Sequence, residues 1–165
     1  MRGVWLLSTM TIAGLPLHPL VVHAAVVFTP LAAVLGIVFA LVRRWRWATR
    51  WPTAATTVLA LGAVFVAKLS GQALLRERPE LRPLVAVHEQ RGNILFLVMI
   101  GFTAVVAPAV WSLGGDSPLI GGGGARHSRV TGLDRVLPVV LVLAAVAVLV
   151  WVALTGDAGA RAVYG

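Results

Sequence analysis

Four apolar runs, each of eighteen or more residues, constrain this chain more than anything else in it. They cover residues 19–42, 52–69, 94–113 and 136–154. A helix rises about 1.5 Å per residue, so roughly 20 apolar residues cross a hydrocarbon layer of about 30 Å. The expected fold is therefore an all-α integral membrane protein, a four-transmembrane-helix bundle forming one membrane domain over residues 1–165. A chain 12% charged and 59% hydrophobic carries roughly half the charge of a soluble domain. The net charge of +8 raises nucleic acid as a partner. However, the arginines fall in short clusters between apolar runs with tryptophans beside them, the arrangement of membrane-interface anchors. Nucleic-acid arms would need a polar face to sit on, and none is present. The expected partner is the lipid bilayer. With no cysteine, disulfides, thiolate zinc sites, iron–sulfur clusters and c-type haem are excluded.

Residues 1–14 hold Arg2 and a short apolar patch from Val4 to Leu7. Thr11-Ile12-Ala13 imitates a signal-peptidase site poorly, so the segment reads as an interfacial lead-in. In the first span, Pro19 suits a first helical position, and Pro30 is expected to kink the helix. A basic and aromatic belt follows: Arg43, Arg44, Trp45, Arg46, Trp47, Arg50 and Trp51. In the second span, Thr53, Thr56, Thr57 and Gly62 are residues that let helices approach closely, and Lys68 snorkels to the headgroups. Residues 70–93 form a polar connection broken by Pro79 and Pro83, with helix restarting after Pro83. Residues 114–135 form a glycine-rich connection. Its run at 121–124 lacks the Lys-Ser/Thr end and preceding strand of a phosphate loop and reads as a linker.

Four crossings put both termini and connection 70–93 on one side. The other side takes the 43–50 turn and the glycine-rich connection. The dense arginine turn points inward by the positive-inside rule, leaving both termini outside. Whatever the orientation, His18, His23, Lys68, Gln72, His88, Glu89 and Arg91 lie near one membrane face, with His127 on the other.

Neutral imidazole is the commonest metal ligand and also ligates haem, and helical bundles hold cofactors between facing helices. His18, His23 and His88 are the candidate cofactor ligands, with Glu89 or Gln72 orienting a ring nitrogen. Counted from the far ends of their spans, His18 and His88 lie about 36 and 37 Å away and His23 about 28 Å. The register thus favours a shallow metal site of His18 and His88 over bis-histidine haem ligation by His23 and His88. A histidine at a helix entrance can equally hydrogen-bond a neighbouring backbone carbonyl or Glu89 and close the bundle's polar end. His88-Glu89 begins an H-E-x-x-H protease motif, but its fifth residue is Gly92. No catalytic set emerges.

Three motifs carry a resemblance. G-L-P-L-H-P-L-V-V-H-A at 14–24, S-G-Q-A-L at 70–74 and H-E-Q-R-G at 88–92 resemble the bacterial membrane-protein family known as domain of unknown function 2231, over roughly residues 14–154. The resemblance implies a four-span protein of the bacterial inner membrane, with His18, His23 and His88 at the family's histidine positions. Some relatives look like partners of, or fusions to, Rieske-type or cytochrome modules, which implies a redox protein partner. Here Ala24-Ala25 stands where members often carry Phe-Pro, so the helix entrance is less constrained.

The leading expectation is an electron-transfer or cofactor-binding protein holding a b-type haem or a copper-like metal. The alternatives are a non-catalytic membrane subunit or assembly partner with structural histidines, and proton or ion handling. No ionisable residue sits mid-membrane in any span, which counts against the last.

Overall fold

A computed structural model describes residues 11–12, 15–113 and 132–164. The lead-in before residue 11, the glycine run at 121–124 and His127 lie outside the described residues. Four helices carry the fold: α1 (Leu17–Leu41), α2 (Arg46–Glu77), α3 (Arg82–Ser112) and α4 (Leu133–Tyr164). All four are long and apolar enough to cross a membrane, over Leu20–Leu41, Arg43–Glu77, Pro79–Ser112 and Asp134–Ala162. Ahead of α1, strands β1 (Thr11–Ile12) and β2 (Leu15–Pro16) form an antiparallel pair two residues long.

The helices outrun the apolar runs. α2 has 32 residues and α3 has 31, about 48 and 46 Å against a hydrocarbon thickness of about 30 Å. The stretch expected as a polar connection is itself mostly helical, because Gln72 through Glu77 are good helix formers. Only Pro79 stops α2. The residue before a proline is pushed out of the α region, and Arg78 takes φ −128°, ψ 71°. A single 3₁₀ turn, Pro79–Leu81, leads into α3, whose first turn tolerates Pro83. Pro30 lies within α1, which continues through it.

Each helix packs on two neighbours in the ring α1–α2–α3–α4–α1, which leaves α1 opposite α3 and α2 opposite α4. Buried positions on α3 recur at intervals of four and three: Leu95, Met99, Phe102, Val106 and Ala109. That is the seam of left-handed helix packing. Small side chains are buried on both α1 and α2, Ala32, Ala33 and Ala40 on the first and Thr53, Thr57 and Ala60 on the second. Thr53 Oγ1 donates to the carbonyls of Leu35 and Thr49 at 3.3 and 2.7 Å. Across the diagonal, a Cβ on Gly36 would lie 3.0 Å from Cζ of Phe102, so the missing side chain seats a buried ring. Gly62 and Gly101 have open space around them and face outward.

The α1–α2 turn depends on Arg46. Its Nε and Nη2 donate to the carbonyls of Phe39 and Ala40 at 3.0 and 2.9 Å. These are among the carbonyls a helix leaves unpaired in its last turn. Expected as part of the belt, Arg46 is instead 4% exposed and closes α1 from inside. Trp45, Trp47, Trp51 and Trp111 remain exposed at this end and mark the headgroup level.

Candidate functional site

The opposite end gathers the residues that sequence reasoning singled out. Arg91 precedes Trp111 by twenty residues, about 30 Å along α3. The His88–Arg91 segment therefore meets the bilayer boundary on the far side from the tryptophans.

His88 and Arg91 are three apart and share one face of α3. That face meets the C-terminal part of α4. His88 Nδ1 lies 3.0 Å from the carbonyl oxygen of Thr155. A carbonyl only accepts, so Nδ1 carries the hydrogen, and a neutral ring keeps its lone pair on Nε2. The imidazole fits because of Gly159, where a Cβ would stand 3.1 Å from both Cε1 and Nδ1 of His88. Beside it, Arg91 Nη1 donates to the carbonyl of Leu154 at 2.7 Å and pairs with Asp157 Oδ2 at 3.4 Å. Arg161 Nε closes the network on the Asp157 carboxylate at 3.0 and 3.1 Å. These last pairs are solvent-accessible, so each contributes little to stability by itself. Together with the two carbonyl bonds they fix the start of α3 on the end of α4.

The other candidates are more dispersed. His18 belongs to the first turns of α1, and its side chain lies outside the described residues. His23 is exposed on α1, the helix diagonal to α3. Gln72 is half-buried on α2, and Glu89 is exposed. Among the described residues, His88's ring bonds only to Thr155 and touches neither Gln72 nor Glu89 by hydrogen bond. No group of three or more His, Cys, Asp or Glu able to hold a metal comes together among the described residues. Lys68 stands over the Phe96 ring at 5.0 Å, and Phe96 stacks on Phe65 at 5.7 Å. The lysine thus rests on an aromatic surface formed between α2 and α3.

The partners of His88 were hidden in a segment that reads as a tail after residue 154. One signal was available. Asp157 and Arg161 stand four apart, a spacing that supports helix, and α4 runs through them to Tyr164.

Residues 14–165 match the family described as "Predicted membrane protein (DUF2231)". The chain belongs to this family. No curated protein and no solved structure matches it. This DUF2231 chain is a multi-pass membrane protein embedded in the lipid bilayer, as its four apolar helices and the family description agree.

Proposed function

We propose that the protein is a non-catalytic membrane subunit or assembly partner, and that its histidines serve the bundle rather than a reaction. The observation that carries this reading is the His88 ring, donated to the Thr155 carbonyl and set into the notch at Gly159. A side chain used this way holds two helices together. The outward-facing Gly62 and Gly101 supply small-residue surfaces of the kind that admit another transmembrane helix.

A second reading keeps the cofactor. An imidazole that donates Nδ1–H to a carbonyl presents Nε2 as metal and haem ligands do. His88 Nε2 would then join His23 or His18 around a b-type haem or a copper-like ion, with an electron-transfer protein as partner. The diagonal placement of α1 and α3 weighs against this set, since the donors come from helices that do not pack side by side.

One preparation separates the readings. The chain is purified in mild detergent, its absorption spectrum and metal content are measured, and His23→Ala and His88→Ala are carried in parallel. The subunit reading expects a colourless, metal-free protein whose His88→Ala variant is less stable and recovers less of any co-purifying membrane partner. A Soret band or a stoichiometric metal lost in His88→Ala overturns it in favour of the cofactor.

For location, the reading is the bacterial inner membrane with the 43–50 turn in the cytoplasm and both termini outside, supported by that turn's arginine density. Because the native chain has no cysteine, a single cysteine introduced at Glu80 reports sidedness cleanly. It should react with an impermeant maleimide added to intact cells, whereas one at Arg44 should not.

A further inference from the structure

We infer that the α1–α2 turn is a binding site for the phosphate of an anionic phospholipid headgroup, formed by Arg43, Arg44 and Arg50 between tryptophans. Four arginines fall within eight residues here, and the fold uses only one of them internally: Arg46, spent on the carbonyls of Phe39 and Ala40. Asp134, the acidic side chain that α4 brings to this end, acts electrostatically on that same Arg46. The ion pairs found among the described residues all lie at the far end, on Asp157. Arg43 and Arg44 are exposed, and the buried Nε of Arg50 has no hydrogen-bond partner.

The arginines are also held in a useful posture. The Arg44 guanidinium lies over the Trp45 ring at 5.7 Å, and that of Arg50 over Trp51 at 4.9 Å. Stacking occupies the faces of a guanidinium and leaves its in-plane N–H groups free, the edge that grips phosphate in bidentate fashion. The height is that of a headgroup rather than of bulk water, because exposed Trp45, Trp47 and Trp51 anchor in the interfacial layer. A short basic cluster at the end of a membrane helix favours anionic lipid. Here the stacked geometry and the unmet Arg50 donor give that attraction a defined seat.

The test uses the full chain in detergent, with phosphatidylglycerol and phosphatidylcholine of identical acyl chains as probes and bound lipid counted by native mass spectrometry. Phosphatidylglycerol should be retained and phosphatidylcholine lost. Arg43→Gln with Arg44→Gln should weaken apparent phosphatidylglycerol affinity by about 30-fold, roughly fivefold per arginine. Removing the same charge from the other end, by Arg76→Gln with Arg78→Gln, should leave affinity within about twofold. Arg50→Gln should weaken binding with them. If that variant does not fold, the exposed Arg43/Arg44 pair still decides. Equal losses at both ends would mean diffuse attraction and overturn the site. Displacement of the lipid by millimolar inorganic phosphate would overturn the lipid assignment in favour of the free ion.

Discussion

His88 and Gly159 form a lock whose two halves should show themselves in a mutant cycle. An alanine at a helical glycine gains up to about 1 kcal/mol where nothing opposes it. Here the new methyl would stand 3.1 Å from the imidazole and displace a ring held by its bond to Thr155. Gly159→Ala should therefore cost about 1 kcal/mol in the native chain and gain about as much in a His88→Ala background. Thermal unfolding of the four proteins in detergent measures that coupling, and additive effects would mean the ring does not occupy the notch. Arg46 should be costlier. Truncating it to alanine strands two buried carbonyls and removes charge-assisted bonds, a loss of about 3 kcal/mol. Arg44→Ala, exposed in the next turn back, should stay within about 0.5 kcal/mol. The histidine was legible in the sequence as an oddity at a lipid boundary. A carbonyl bond was one of the roles it allowed, but the partners were not legible, because Thr155 and Gly159 are 67 and 71 positions away and offer a backbone carbonyl and an absence, neither of which residue type announces. Arg46 misled for a related reason. Its neighbours Arg43 and Arg44 belong to the surface and Arg50 is half-buried, and nothing in the run R-R-W-R marks the one that turns inward.

At the level of helices, the apolar runs announced four membrane-length helices, and the family's description as a predicted membrane protein agrees with that setting. Their inner faces were concealed. When lipid and core are equally apolar, hydrophobic periodicity no longer separates inside from outside, and small residues become the better guide. That guide worked unevenly. Thr53, Thr57 and Gly36 do sit at close contacts, whereas Gly62 looks out from the bundle. The contrast is measurable. Gly36→Ala should lower stability by about 1–3 kcal/mol by crowding Phe102, while Gly62→Ala should be neutral or stabilising by up to about 1 kcal/mol. Equal effects in a detergent unfolding series would contradict the assigned faces. Helix ends were the least legible part, since good helix formers carry α2 past the lipid until Pro79 stops it, while α4 continues through Gly156 and Gly159 against its local propensity.

The whole molecule is a closed ring of four helices in which α4 is held by both α1 and α3. Chain continuity between α3 and α4 should therefore be dispensable once the helices are in the membrane. Fragments 1–122 and 123–165, expressed together, should co-purify as a complex. The same pair carrying His88→Ala and Arg91→Ala should still associate but be recovered in lower yield, because those side chains fasten only the end of α4. Failure of the unmutated halves to associate would show that the ring contacts are weaker than the packing implies.

The overhang of α2 and α3 has a consequence for the setting of the protein. Measured from its tryptophan collar, the bundle has one tight margin and one loose one, with Leu84 and Val87 still presenting apolar surface on the loose side. A slightly thicker bilayer meets apolar side chains there, but beside them stand Glu89, Arg91, Asp157 and Arg161, whose charges limit how far lipid can rise before the helices must tilt. The chain is thus fixed at its collar and given only a few ångströms of play at the far margin, where its own charges set the limit.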